Sequence, residues 1–472
     1  MTDSWTFQKL RDIADIRVSN VDKKTHRSEK PAKLCNYMDV YSNEYITNDI
    51  QFMEASANSA EIENFSLIVG DVVITKDSET PDDIGIPAVI AIATLLRTFL
   101  VVYFACCQKC PCPNLCGGSY IYEKIDNLVC GYHLAIIRPD KNKLDSVFLS
   151  KCLSTSHIAK YFALHASGST RFGLPIGAIE LAEIPTPPKT EQTQIASILS
   201  TIDRAIEQTE AIIAKQQRIK TGLMQDLLTK GIDEDGNVRS EATHEFKDSP
   251  LGRIPAEWEV APVGKYGSKH KSYLRTGPFG SDLNTNHWVE VGVPVLTIGS
   301  LGEGEVIEEE LLYVGSFTAK GLQGFLVEPG DIVISRVADI GRSLVIETQQ
   351  SGWIISSNLM RLSLNQDVAN PMHLYRNISF NSHVRNQLRV TSNSGGRDLV
   401  NGAILSKILI PWPSFEEQNR IDRTLNHLDN KISILKEQLI KQNSQKVGLM
   451  QDLLTGNVRV TALLNDQEIA KI

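Results

Sequence analysis

The string Gly222-Leu223-Met224-Gln225-Asp226-Leu227-Leu228-Thr229 recurs, letter for letter, from Gly448 to Thr455. The match runs backwards at a constant offset of 226: Glu191-Gln192 meets Glu417-Gln418, Ile195 meets Ile421, Leu199 meets Leu425 and Asp203 meets Asp429. A period this long is not a solenoid repeat. A whole domain is duplicated together with the helix that follows it.

Both copies step by four and three, the spacing of a coiled-coil seam. The first reads Ile195, Leu199, Ile202, Ile206, Thr209, Ile213, Gln216, Lys220, Leu223, Leu227. The second reads Ile421, Leu425, Leu428, Ile432, Leu435, Leu439, Gln442, Lys446, Leu449, Leu453. Each seam turns polar at the same two steps, which costs stability but fixes register and partner. A helix of about 40 residues spans roughly 60 Å. The pattern predicts two long helices that pair with each other; two amphipathic core helices that never meet would also satisfy it.

The globular parts match as well. Gly70-Asp71-Val72-Val73-Ile74-Thr75-Lys76 is repeated as Gly330-Asp331-Ile332-Val333-Ile334-Ser335-Arg336, a turn and a short β-branched strand ending in a basic residue. Asp83-Ile84-Gly85 matches Asp339-Ile340-Gly341 at offset 256, whereas Leu134 matches Leu359 at 225. The first copy therefore carries 31 extra residues between Ile90 and Gly131. Around their start, Ile86 to Cys107 is apolar but for Thr94, Arg97 and Thr98, long enough to be a membrane-helix candidate. Pro87 and Arg97 interrupt it, and Gly341–Ile346 is a counterpart without that apolar length, so a buried strand or hairpin is expected. Cys107, Cys110, Cys112 and Cys116 follow; the C-x-x-C pair suits zinc, but the usual module separates its pairs by a dozen or more residues. A loop of free thiols is the alternative, and the second copy has no equivalent.

Each domain closes on glycine and arginine, Gly168-Ser169-Thr170-Arg171 in the first and Gly395-Gly396-Arg397 in the second. Glycine lets a backbone approach a ligand closely, and arginine pairs with phosphate or a guanine edge. Proline then ends each domain and glutamate opens each helix. Ile254-Pro255-Ala256-Glu257-Trp258 opens the second domain, with Trp5 as the candidate counterpart of Trp258.

At 472 residues the chain exceeds one core. A net charge of −8 shows no global basic field, leaving only local basic faces for nucleic acid. No export signal is visible, and eight cysteines in such a chain point to reduced thiols and a cytoplasmic location. Phosphate-loop, Rossmann and zinc-protease motifs are absent, and His133, His157 and His383 lack a nucleophile pattern and are expected to be structural. The chain reads as non-catalytic. An enzyme with an unfamiliar site has only the cysteine cluster behind it.

The order domain, helix, domain, helix resembles the DNA-specificity (S) subunit of type I restriction–modification systems, carried by the two octapeptides, the Glu-Gln pairs, Ile254-Pro255-x-x-Trp258 and Gly330-Asp331-Ile332-Val333. The insertion after Ile90 departs from that pattern. The resemblance implies two α/β (α+β) target-recognition domains, and helices paired as an antiparallel coiled coil with pseudo-two-fold symmetry. The domains are placed at 1–188 (insertion about 91–121) and 250–413, the conserved helices at 189–230 and 414–455, a linker at 231–249 and a tail at 456–472. Each domain would read one half of a split, asymmetric site in double-stranded DNA, about one helical turn (~34 Å) apart. The helices would dock two methyltransferase subunits that use S-adenosylmethionine, with an ATP- and Mg-dependent translocase–nuclease joining for restriction. No cofactor is expected on this chain, and no membrane. Loops on a rigid scaffold are where reading residues usually sit. Lys76, Arg171, Arg336, Arg342 and Arg397 are therefore the candidates for base contact, with Ser169 and Thr170 as phosphate donors. A coiled-coil scaffold with protein-binding α/β domains is the competing reading. It leaves unexplained the basic residues at matching strand and loop ends.

Overall fold

The computed structural model describes residues 5–91, 126–302, 304–392 and 399–461. The chain divides into two units, residues 1–209 with 438–472, and residues 210–437.

In the first unit, Val72–Thr75 is buried at every position, as its unbroken β-branched run requires of a strand covered on both faces. It lies between Leu134–Pro139 and Pro87–Ile90, antiparallel to both, in a five-stranded sheet completed by Ala14–Val18 and Tyr45–Ile46. A second sheet joins Met53–Ala57, Lys30–Cys35 and Leu128–Cys130. Strand Thr6–Lys9 pairs antiparallel with Glu183–Thr186. The apolar stretch beginning at Ile86 forms a strand from Pro87 to Ile90. Among the described residues, no helix is long and apolar enough to cross a membrane.

The second unit repeats the frame. Ile332–Ser335, again wholly buried, lies between Leu359–Leu362 and Ser343–Val345, and Glu259–Pro262 pairs with Leu409–Trp412. The repeated Gly-Asp is the turn into the central strand. Gly70 and Gly330 adopt φ of +95° and +85°, where a side chain would be strained. Asp71 and Asp331 then accept the backbone N–H of Ile68 and Glu328, each at 2.9 Å. Asp71 also takes both prongs of Arg138, and Asp331 takes the Ser363 hydroxyl at 2.6 Å.

The long helices are Lys189–Thr229 and Phe415–Leu454. Every seam residue is buried or half-buried, including Ile195, Leu199, Ile202, Ile206, Leu223, Leu227, Ile421, Leu425, Leu428, Ile432, Leu449 and Leu453. Within each unit the helix segments run antiparallel. In the first, Glu191 meets Arg459 and Asp203 meets Lys446; in the second, Lys220 meets Asp429 and Arg239 meets Glu417. The polar seam lysines thus form repeat-related ion pairs.

The Glu-Gln pair opening each helix locks it to its domain. Gln192 accepts the Asp145 N–H at 2.8 Å and donates to the carbonyls of Lys143 and Pro187; Gln418 accepts the Asn370 N–H at 2.9 Å and donates to Pro413. Asp145 and Asn370 are the N-caps of helices Ser146–Leu153 and Pro371–Phe380, so one glutamine aligns two helix starts. Glu191 binds Arg459 through both carboxylate oxygens, and that guanidinium lies over the Trp5 ring. Glu417 accepts from Arg239, from the Ile232 N–H at 3.0 Å and from the Trp258 indole at 3.1 Å. Trp5 and Trp258 are therefore counterparts. Residues 231–249, expected as a linker, are tied down: Ile232 and Arg239 are buried, and Phe246–Ser249 pairs with Gly252–Pro255. The repeated Gly-Asn-Val-Arg, 236–239 and 456–459, marks this function in sequence.

Removing Glu417 leaves the Arg239 charge buried and uncompensated. Glu417→Ala is expected to cost about 3–5 kcal/mol, and exposed Glu416→Ala about 0.5 kcal/mol or less, measured by denaturant unfolding. His373 is fully buried, its Nε2 2.9 Å from the Pro411 carbonyl, and burial lowers its pKa from 6.5 to about 4. The unfolded chain then binds the extra proton, so stability present above pH 6.5 is lost as pH falls towards 4, by about 3 kcal/mol. Stability measured across that window should fall, and His373→Gln should flatten the slope.

Candidate nucleic-acid interface

In each unit the basic strand end meets chain far away in sequence: the glycine–arginine loop itself in the first, and Leu399–Val400 in the second. In the first, the strand Val72–Thr75 runs out into Lys76, and Asp77–Ser78 pairs antiparallel with Phe172–Gly173. The loop carrying Gly168 to Arg171 is closed by two bonds between Ser167 and Gly173, and Leu174 N–H donates to the Lys76 carbonyl at 2.9 Å. Gly168 has φ +147°, and a Cβ there would lie 1.9 Å from the Arg171 carbonyl, so the tight loop needs glycine. Ser169, Thr170 and Arg171 are exposed at its tip.

Lys76 is not a free cation. Its Nζ sits 2.8 Å from both carboxylate oxygens of Asp77. Asp77 Oδ2 also lies 3.1 Å from His133 Nδ1, and His133 Nε2 lies 3.4 Å from an Arg171 guanidinium nitrogen. Partial burial pushes the Asp77 pKa up, but the bonds from Lys76 and His133 outweigh it and the pKa is lowered. His133, 8% exposed, is held below the ordinary histidine value by burial first and by the charge of Arg171. From sequence alone His133 is expected to be merely structural; here it joins the strand end to the loop tip. No local motif marks it, because its partners lie 56 and 38 residues away.

The second unit has the same junction with other side chains. Arg336 N–H donates to the Asn358 carbonyl at 3.0 Å, as Lys76 N–H donates to His133 at 2.8 Å. Val337 bridges antiparallel to Leu399, and Val400 N–H donates to the Arg336 carbonyl, so the chain leaving the Gly395-Gly396-Arg397 segment returns to the strand end. Arg336 is half-buried, with its guanidinium 3.4 Å from the Ser357 carbonyl. Arg342, half-buried, follows in the loop 337–342, where Ala338 adopts φ +59°. Such strain in a non-glycine residue concentrates at functional sites. Gly277 N–H donates to the Leu359 carbonyl, which brings Gly277-Pro278-Phe279 alongside, with Phe279 65% exposed.

Arg397 itself, the insertion at about 91–121 and the cluster Cys107, Cys110, Cys112 and Cys116 lie outside the described residues, save Ala91. Among the described residues, Cys35, Cys130 and Cys152 are buried free thiols, and no group of three or more metal-binding side chains converges. The first junction offers guanidinium and hydroxyl donors on a tight loop beside a strand end, and the second offers the half-buried guanidinium groups of Arg336 and Arg342. A planar guanidinium suits acceptors presented in pairs, such as two phosphate oxygens or the O6 and N7 of a guanine edge.

The family model for the type I restriction modification DNA specificity domain matches residues 2–216 and 280–442. The chain is 29% identical over 350 residues to the MjaX specificity subunit of Methanocaldococcus jannaschii, assigned to a type I restriction enzyme; the match covers 73% of this chain and 76% of that one. It is 25% identical to the type I restriction enzyme MjaVIII specificity subunit of the same organism, over 60% of this chain and 64% of the other. Among solved structures it resembles the S subunit of a type I system from M. genitalium, with TM-score 0.52, 16% identity and 96% of each chain covered. A chain from a study of complex assembly and conformational transition in a type I R-M system gives TM-score 0.53 at 15% identity, covering 97% of this chain and 99% of that one. With the model matching most of its length in two copies, the chain belongs to the family of type I restriction–modification DNA-specificity subunits.

Proposed function

We propose that this chain reads a split, asymmetric target in double-stranded DNA, one half with each recognition domain, and that its paired helices dock two methyltransferase subunits. The observation that carries the proposal is one backbone junction built twice with different side chains: Lys76, Asp77, His133 and Arg171 in one domain, Arg336, Val337 and Asn358 in the other. A shared frame with unlike donors and acceptors suits two unlike half-sites, because base identity is read by the pattern of donors and acceptors.

Lys76, Arg171, Arg336, Arg342 and Arg397 are the proposed base-reading cations, and Ser169 and Thr170 the phosphate donors. The Asp77 pairing makes Lys76 the weakest of these. The chain supplies recognition and no chemistry. S-adenosylmethionine on the methyltransferases would donate the methyl group to adenine, and ATP and Mg would serve a restriction–translocase subunit. A net charge of −8 fits this division, since partner subunits would contribute much of the phosphate contact.

The test is selection from a randomised duplex library by the complex with its methyltransferase subunits. Arg171→Ala should relax one half of the selected motif, losing about 1–3 kcal/mol of discrimination there, and Arg336→Ala should relax the other. Equal relaxation of both halves by either variant, or none, would overturn the assignment.

A further inference from the structure

Asp77 only accepts hydrogen bonds, so the His133 nitrogen facing it at 3.1 Å, Nδ1, carries the proton. A neutral ring then has its lone pair on Nε2, the nitrogen 3.4 Å from Arg171. Arginine cannot accept, so this contact exists only while the imidazole is neutral. We propose that His133 is a positioning residue for Arg171, holding the guanidinium at the reading edge of the first domain, so that protonation of the ring releases recognition of that half-site alone. The proposal rests on the reading of Arg171 as a DNA contact.

The surroundings set the direction. Asp77 faces the ring from strand Asp77–Ser78 with Lys76 bound to its carboxylate, Arg171 faces it from the glycine loop, and the charge of Lys23 acts from the segment after Ala14–Val18. The Tyr132 ring lies beside it, centroid to centroid 3.6 Å. Both Asp77 oxygens are already engaged by Lys76, so the carboxylate is matched without an imidazolium. A proton on Nε2 would set N–H against N–H and a second positive charge against the guanidinium. Burial opposes that proton too, so the ring stays neutral at pH 7 and is charged only below its ordinary range. In the second domain the same backbone position is Asn358, which does not titrate. The molecule thus contains its own control.

The experiment uses the complex with its methyltransferase subunits and duplexes substituted in one half-site or the other, with discrimination measured from pH 7.5 to 5.0. Discrimination at the first half-site should fall at the acid end of that range towards the level of His133→Ala, about tenfold at the limit, while that at the second stays within about twofold. His133→Ala should lose first-half discrimination throughout. His133→Gln, which keeps a carbonyl acceptor, should restore most of it and remove the pH dependence. A flat first-half profile, a parallel fall in both halves, or a His133→Gln profile like that of the unaltered chain would overturn the proposal. Arg171→Ala separates the two levels. If it leaves the first half-site untouched, the reading of Arg171 fails. If it impairs that half-site while pH does not, only the role of His133 fails.

Discussion

A lysine taken into an apolar helix seam costs free energy unless a carboxylate meets it, and that demand governs how the two long helices lie. Lys446 finds Asp203 in one unit and Lys220 finds Asp429 in the other, at positions related by the repeat. A slip of one heptad would part both pairs, leaving Asp203 only its second cationic partner, Lys151. The alignment that satisfies them brings the end of one helix to the start of the other, where Arg459 meets Glu191 and Arg239 meets Glu417. Gln192 and Gln418, next in sequence, carry the order onward into the domains through the N-caps Asp145 and Asn370. The register of the seam is thus transmitted by named hydrogen bonds to the domains that carry the strand-end junctions.

Within each domain the division is between a frame that is kept and an edge that varies. The Gly-Asp turns, the buried central strands and the bond from Leu174 or Val400 back to the strand end are common to both. At the edge, a network of Lys76, Asp77, His133 and Arg171 stands where the other copy has Arg336, Val337 and Asn358. Backbone geometry that does not depend on the edge residues leaves those residues able to differ. This is the physical condition for two domains of one fold to read two sequences.

Much of this was legible in the sequence because it is carried by local period. Four-and-three spacing marked the seam, and β-branched runs after Gly-Asp marked the central strands. The basic strand ends and the glycine–arginine segments were visible as repeated motifs; that Lys76 and the Gly168–Arg171 loop meet depends on sheet register, which no local pattern encodes. His133 was illegible for the same reason. The clasp of Arg239 and Arg459 was visible in principle, but its Gly-Asn-Val-Arg repeat stands at offset 220, outside the 226 that aligns the helices. Pairing of Lys76 with Asp77 needed only adjacency, yet a run of strand residues gives no sign that the two side chains fold back on each other.

The most direct measurement is base-resolution mapping of adenine methylation in cells with and without this gene, the methyltransferase genes being retained. The account predicts that a split motif with two unlike halves disappears on deletion and returns on complementation. Methylation unchanged by the deletion would contradict it.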